Sequence, residues 1–104
     1  MALIVKKFGG SSVATTEKIM NVAERVLKEK QPGDQIVMVV SAMGDTTDDL
    51  IKLAQGINKD PYQYTREMDM LLTTGEQVSI ALLAMAFKTL GQPAISLTGP
   101  MAGM

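Results

Sequence analysis

The chain contains no cysteine and no histidine among its 104 residues. Without cysteine there is no disulfide framework and no thiolate metal site. Without histidine, the usual zinc sites and serine–histidine catalysis are excluded as well. Any acid–base or charge chemistry must therefore come from lysine, arginine, aspartate and glutamate side chains.

The chain also lacks an excess of either charge, since its 10 basic and 11 acidic residues give a net charge of −1. We expect neither nucleic acid nor an anionic membrane as the main partner, because both require clustered lysine and arginine. The longest apolar run, residues 80–87, is far too short to span a bilayer. Residues 1–5 are too short for the apolar part of a signal peptide, so we expect a cytoplasmic protein.

Strands and helices alternate in the hydrophobic pattern. The predicted strands are residues 3–8, 35–41 and 94–98, and the predicted helices are residues 15–30, 47–57, 64–73 and 76–90. We place a break between the last two helices near Gly75. The order βαβααβ indicates an α/β fold with a parallel sheet and no internal domain boundary. Because the first strand is apolar on both faces until its lysines, we expect helices on both sides of the sheet.

Three loops rich in small residues follow the predicted strands, at residues 9–12, 41–47 and 98–103. The carboxyl ends of parallel strands meet at one edge of a sheet, where ligands of open α/β sheets bind. The sequence therefore predicts a ligand site formed by these three loops.

The first of these loops has the pattern of a phosphate site. Gly9 and Gly10 follow a strand directly, and glycine permits close approach and positive φ values, so that successive N–H groups can bind an anion. Lys6 and Lys7 lie on opposite faces of the strand, so at most one of them can supply the compensating charge. The alternatives are a plain tight turn and a solvated lysine at the end of the strand.

The second loop offers hydroxyl groups. Ser41 ends a buried strand and is a candidate for contact with a phosphate or a substrate oxygen, and Thr46 and Thr47 can bind a ligand through hydroxyl and N–H groups. The competing interpretation, which the local pattern favours, is that Thr46 and Asp49 form a capping box.

Glu76 also has two interpretations. Thr73-x-x-Glu76 fits a capping box for the following helix. Alternatively, the Glu76 carboxylate pairs with a substrate ammonium group. A capping box accepts glutamine nearly as well as glutamate, whereas an ammonium partner requires the charge.

Together these segments resemble bacterial aspartokinase, a member of the amino acid kinase family. The resemblance rests on KFGGSSV at residues 7–13, VVSAMG at 39–44 with TTD at 46–48, and REMDMLL at 66–72 with GEQ at 75–77. It implies a three-layer αβα fold. It also implies that residues 1–104 are the N-terminal portion of a catalytic domain, without a regulatory ACT domain.

The resemblance implies transfer of the ATP γ-phosphoryl group to the β-carboxylate of L-aspartate, which yields 4-phospho-L-aspartate on the way to lysine, threonine and methionine. Lys7, Phe8, Gly9 and Gly10 would bind ATP, and Lys7 would neutralise the transferring phosphates. Mg²⁺ would arrive with ATP, and no protein ligand for it is assigned. The catalytic residues would be Lys7 and Ser41. The aspartate-binding residues would be Ser41, Thr47 and Glu76.

Two departures from the family limit what is expected of this chain. Pro100 and Met101 stand where an aromatic or small residue and then glutamine are expected, so no role is assigned to the third loop. The adenosine site and the arginine expected to bind the substrate carboxylate would lie beyond residue 104. We therefore expect the chain alone to be inactive, and its partners to be copies of itself or the rest of a kinase domain. The alternatives are a non-catalytic association module and a relative that phosphorylates another small molecule.

Overall fold

The computed structural model describes residues 2–97. The elements in chain order are β1 (Leu3–Phe8), a short 3-10 helix (Gly10–Val13), α1 (Thr16–Glu29), β2 (Gln35–Val40), α2 (Thr46–Ile57), a second short 3-10 helix (Pro61–Gln63) and α3 (Thr65–Thr89). The first two predicted strands and the first two predicted helices are thereby confirmed to within a residue at most of their ends.

The two strands form a parallel pair in which Leu3 lies opposite Gln35 and Phe8 lies opposite Val40. A parallel pair needs a crossover, and α1 provides it. The turn back into β2 contains Gly33 with φ of 85°, a left-handed conformation that favours glycine. As a result, β1 and β2 end side by side at the same edge of the sheet.

Local signals in the sequence set the position of α1. The Thr15 hydroxyl accepts a hydrogen bond from the Lys18 N–H at 3.2 Å, which caps the first turn. The buried residues recur at helical spacing along one stripe, which consists of Ile19, Val22, Ala23 and Val26.

The core lies between one face of the sheet, α1 and the second half of α3. Its buried residues are Val13, Ile19, Val22, Ala23, Val26, Val40, Leu83, Ala86 and Phe87. Ile36 and Met38 of β2 pack against this cluster from the sheet. In contrast, α2 has no buried residue and packs on the first half of α3.

The opposite face of the sheet is uncovered within residues 2–97. Leu3 and Val5 of β1 are 69% and 65% exposed, and Val37 and Val39 of β2 are 48% and 45% exposed. Within residues 2–97, α1 and α3 therefore supply the helices of one of the two expected layers.

The predicted break near Gly75 is wrong, because α3 is one continuous helix of 25 residues. Gly75 is buried in its interior, and the Thr73 hydroxyl donates to the Asp69 carbonyl at 2.6 Å, as a threonine within a helix does. Glycine lowers helix propensity without ending a helix whose packing holds it together.

Among the described residues, α3 is also long and apolar enough to cross a membrane by length and composition. Core helices meet the same criterion, and Leu83 and Phe87 of α3 belong to the core.

The predicted third strand is not formed in its described part. Residues 94–97 carry no strand pairing, although Ala94 packs against the core cluster and burial alternates along the segment. A strand needs a partner, and within residues 2–97 the segment has none in the sheet of β1 and β2. Thr98 and the third predicted loop, residues 98–103, lie outside the described residues.

One ion pair ties β1 to the end of α1. The Lys6 ammonium group lies 2.8 Å from the Glu29 carboxylate. The hydrogen bond and the positive charge of Lys6 hold the pKa of the Glu29 carboxyl below its ordinary value of 4.5. The folded state therefore binds fewer protons than the unfolded state as this group titrates.

We predict that Glu29→Gln reduces the acid sensitivity of the fold. The contribution of the ion pair is complete above pH 4.5 and is lost as the pH falls through the lower pKa of the folded state. The free energy of unfolding, measured by urea titration between about pH 6 and about pH 3, should fall less for Glu29→Gln than for the unmodified chain. Glu24→Gln removes the same charge from an exposed position of α1 and should behave like the unmodified chain. Equal acid sensitivity in the two variants would contradict the prediction.

Candidate active site

The loops that follow β1 and β2 are joined by backbone hydrogen bonds. The Ser41 N–H donates to the Phe8 carbonyl at 3.1 Å, and the Gly44 N–H donates to the Gly10 carbonyl at 3.2 Å. The prediction that the first two loops share one edge of the sheet is confirmed. The third predicted loop lies outside the described residues.

Of the glycine pair, only Gly10 needs to be glycine for space. A Cβ atom at Gly10 would lie 2.9 Å from the Ala42 carbonyl oxygen, whereas one at Gly9 would have no neighbour within 4 Å. Neither Gly9 nor Gly10 has positive φ, so the expectation of positive φ at the glycine pair is wrong. In the second loop, Gly44 has positive φ, at 43°. Gly10 thus allows the two loops to approach closely without positive φ.

Lys7 is the lysine that remains available to an anion. It lies opposite Val39 on the uncovered face of the sheet, and its ammonium group has no ion pair or hydrogen bond with residues 2–97. Lys6 lies on the other face and is held by Glu29. The predicted division of the two lysines between the faces is therefore confirmed.

Two unpaired N–H groups follow Lys7 along the chain. Gly10 and Ser11 begin the short 3-10 helix, and their N–H groups have no backbone acceptor among residues 2–97. Unpaired N–H groups at the start of a helical turn are suited to anionic oxygens. Lys7 and these donors lie at the same edge of the sheet, as a phosphate site requires.

The start of α2 differs from the predicted capping box. Thr46 is already helical, and its N–H donates to the Met43 carbonyl at 2.9 Å. The Asp49 N–H donates to the Asp45 carbonyl at 3.0 Å, and no side chain caps the helix. The capping interpretation of Thr46 is therefore wrong, and Thr47 is exposed in the first turn of α2.

The capping interpretation of Glu76 is also wrong, because α3 does not begin there. Glu76 is exposed, and its carboxylate has neither an ion pair nor a hydrogen bond with the described residues. It directly follows Gly75, where a Cβ atom would lie 3.0 Å from Ala42 Cβ and 3.2 Å from Thr46 Cγ2. α3 thus touches the loop after β2 at the residue before Glu76.

The predicted site residues therefore come from three regions of the chain. Lys7 and the glycine pair come from the end of β1, Ser41 and Thr47 come from the loop after β2 and the start of α2, and Glu76 comes from α3. These groups are an ammonium ion, unpaired N–H groups, two hydroxyl groups and a carboxylate. Such groups can position and neutralise phosphates and bind a cationic group of a second substrate.

The packing roles of Ala42 and Gly75 were missed in the sequence. Ala42 is 5% exposed and lies where Gly10 and Gly75 both approach it. A glycine inside an otherwise helical run costs about 1 kcal/mol relative to alanine. The presence of Gly75 despite this cost is a sign in the sequence that the helix packs closely against a neighbour there. Ala42 shows no comparable sign in the sequence.

A groove on another side of α3 is separate from this site. It is lined by Thr74, Gln77, Val78, Ile80, Ala81, Ser96 and Leu97. None of the predicted site residues lines this groove, which is mostly apolar. It therefore does not extend the candidate site at the glycine pair.

The sequence profile of the amino acid kinase family matches residues 2–103. The chain belongs to this family. Over its full length it is 60% identical to the aspartokinase of Bacillus sp. (strain MGA3) and 57% identical to aspartokinase 2 of Bacillus subtilis (strain 168). It spans 25% of each of these two relatives.

A solved structure supports the same assignment. The aspartate kinase from Synechocystis superposes with a TM-score of 0.86 and 60% sequence identity, over 93% of this chain and 16% of that one. This amino acid kinase chain therefore has the αβα fold of the family, of which residues 2–97 supply the two-stranded sheet and the helices on one of its faces.

We predict that Gly10→Ala destabilises this amino acid kinase chain by about 1–3 kcal/mol, because the added methyl group would meet the Ala42 carbonyl oxygen. Gly9→Ala is the matched control. Its Cβ meets nothing within 4 Å and its φ of −81° suits alanine, so it should be neutral or stabilising by up to about 1 kcal/mol. Urea unfolding measures both. Equal stability of the two variants would show that the two loops do not pack as described.

Proposed function

We propose that the chain forms part of an aspartate kinase active site, which transfers the γ-phosphoryl group of ATP to the β-carboxylate of L-aspartate. The supporting observation is the similarity to aspartokinases at 55–60% identity over all 104 residues. The gathering of Lys7, the glycine pair and Ser41 at one edge of the sheet agrees with it.

In this proposal the end of β1 binds the phosphates of ATP. Lys7 neutralises the phosphoryl group in transfer, and N–H groups from Gly9 to Ser11 donate to its oxygens, those of Gly10 and Ser11 having no acceptor within residues 2–97. Phe8 contributes through its backbone, because its ring packs beneath the Arg25 guanidinium at 5.4 Å. Mg²⁺ bound to ATP supplies further neutralisation of the phosphate charge.

The other groups bind the acceptor. Glu76 pairs with the α-ammonium group of aspartate, and Thr47 and Ser41 donate hydroxyl hydrogen bonds, Ser41 at the junction of phosphate and substrate. A β-carboxylate oxygen of aspartate forms a bond to the γ-phosphorus. The bond from that phosphorus to the bridging oxygen breaks, and the electron pair leaves with ADP. No covalent enzyme intermediate is needed, since catalysis is by positioning and electrostatic stabilisation.

The chain carries only part of such a site. It spans about a quarter of its curated relatives, and within residues 2–97 the apolar groove beside α3 does not adjoin Lys7 or the glycine pair. We therefore propose that the chain is inactive alone. We also propose that it acts in the cytoplasm. Its partners would be the remaining part of a kinase domain or further copies of itself. Its product would enter the synthesis of lysine, threonine and methionine.

One observation favours a second candidate, a non-catalytic association module. The uncovered sheet face exposes Leu3, Val5, Val37 and Val39, and unpaired strand edges favour pairing with another chain. Self-association fits both candidates, so only an activity measurement separates them.

We predict that the isolated chain does not consume ATP in the presence of aspartate, whereas a chimera does. In the chimera, this chain replaces the matching quarter of the Bacillus sp. (strain MGA3) aspartokinase. Trapping 4-phosphoaspartate with hydroxylamine measures the product directly. The unmodified relative and the relative lacking this quarter are the positive and negative controls. An inactive but folded chimera would overturn the proposed function, and turnover by the isolated chain would overturn the partial site.

We predict that Glu76→Gln in the chimera lowers kcat/KM for aspartate by about 100-fold, because it removes the charge that pairs with the ammonium group. Glu67→Gln is the matched control, since Glu67 is exposed on the same helix and pairs with its neighbour Arg66. KM for ATP should change by less than about twofold in both variants. Normal aspartate kinetics in Glu76→Gln would remove Glu76 from the acceptor site.

A further inference from the structure

Gly75 lies in the interior of α3, where glycine is the poorest helix former after proline. Its backbone does not adopt positive φ, so the helix does not require glycine for its conformation. Gly75 is nevertheless buried. The reason for glycine at this position must therefore be what lies against the helix.

The neighbours of Gly75 leave less room for a side chain than ordinary packing requires. A Cβ atom there would be 3.0 Å from Ala42 Cβ, 3.2 Å from Thr46 Cγ2 and 3.5 Å from Leu50 Cδ1. Carbon atoms pack at about 3.5–4.0 Å. The absence of a side chain at Gly75 therefore lets α3 lie against the loop after β2 and against the start of α2.

Ala42 cannot move away easily, because residues on both sides of it in the chain are bonded to the end of β1 and the loop after it. The Ser41 N–H donates to the Phe8 carbonyl at 3.1 Å, and the Gly44 N–H donates to the Gly10 carbonyl at 3.2 Å. Ala42 Cβ is also fixed to the backbone, so no rotamer change can relieve the contact. A single residue, Ala42, therefore links the position of α3 to that of the loop after β1.

We propose that Gly75 is a positioning residue, which sets the distance from Glu76 to Ser41 in the loop after β2 and to Thr47 at the start of α2. The inference rests on the proposed function, in which Glu76 binds the aspartate ammonium group. Glu76 is the next residue of α3, about 100° around the helix axis. A side chain at Gly75 moves α3 outward and carries Glu76 away from the acceptor site, while Lys7 and the glycine pair keep their places.

The first test is kinetic and uses the chimera. Gly75→Ala should raise KM for aspartate about tenfold while KM for ATP stays within about twofold, because displacement of a binding group weakens only the substrate that it contacts. Gly56→Ala is the matched control, since Gly56 lies in α2 and a Cβ there meets nothing within 4 Å. It should leave both KM values unchanged.

Restoring space should restore aspartate binding. Ala42→Gly removes the nearest atom to the added methyl group. Gly75→Ala combined with Ala42→Gly should therefore lower the raised KM for aspartate most of the way to its original value. Should Gly75→Ala fail to fold, Ala42→Ser enlarges the same contact from the opposite side and should raise the same KM. An unchanged KM for aspartate, an equal rise in both KM values, or a loss that Ala42→Gly does not relieve overturns the positioning role.

The second test uses the isolated chain and does not depend on catalysis. Helix propensity alone predicts stabilisation by a glycine-to-alanine change, and Gly56→Ala should show it. Gly75→Ala should instead lower the urea midpoint, and less so in the Ala42→Gly background. An inactive chimera together with this coupling overturns the proposed function and leaves the packing contact standing. Absence of the coupling overturns the positioning role whether or not the chimera is active.

Discussion

The close packing around Ala42 determines how the parts of the site are placed. Gly10 approaches its carbonyl oxygen and Gly75 approaches its methyl group, so the loop after β1, the loop after β2 and α3 meet at one small residue. Neither contact leaves room for a larger side chain, because densely packed protein interiors accommodate added atoms poorly. The hydrophobic core formed by α1, β2 and the second half of α3 stabilises the elements that carry these contacts. The candidate side chains Lys7, Ser41, Thr47 and Glu76 are exposed, whereas the neighbouring Ala42 and Gly75 are buried in close contact.

The two faces of the sheet have different tasks. The face with Ile36 and Met38 packs on the core, and its lysine, Lys6, is neutralised by Glu29. The other face leaves Val5 and Val37 exposed and carries Lys7. An ammonium group beside uncovered apolar side chains becomes less hydrated once further layers cover that face, and its attraction for phosphate then rises because the local dielectric constant falls. In the proposed function, this uncovered face is the one that a further part of a kinase would cover.

The sequence predicted the elements whose signals are local. The apolar runs of β1 and β2, the Thr15 cap and the stripe of α1 each specify their structure within a few residues. The continuous α3 was not predictable in this way, because Gly75 and the Thr73–Glu76 spacing are also the local signals of a helix end and a new start. Contacts with Ala42 and Thr46, distant in sequence, decide the outcome. The candidate site residues were assigned by motif, whereas the packing around them depends on contacts between residues distant in sequence.

The continuity of α3 sharpens the question about Glu76. Had a helix begun there, its carboxylate would have had a structural task, and any loss on substitution would have mixed folding with binding. In the continuous helix Glu76 is exposed and makes no side-chain bond with residues 2–97. Surface substitutions of this kind change stability by less than about 0.5 kcal/mol. An effect of Glu76→Gln on aspartate kinetics would therefore report on the charge of the site, because this carboxylate has no hydrogen-bond or ion-pair partner within residues 2–97.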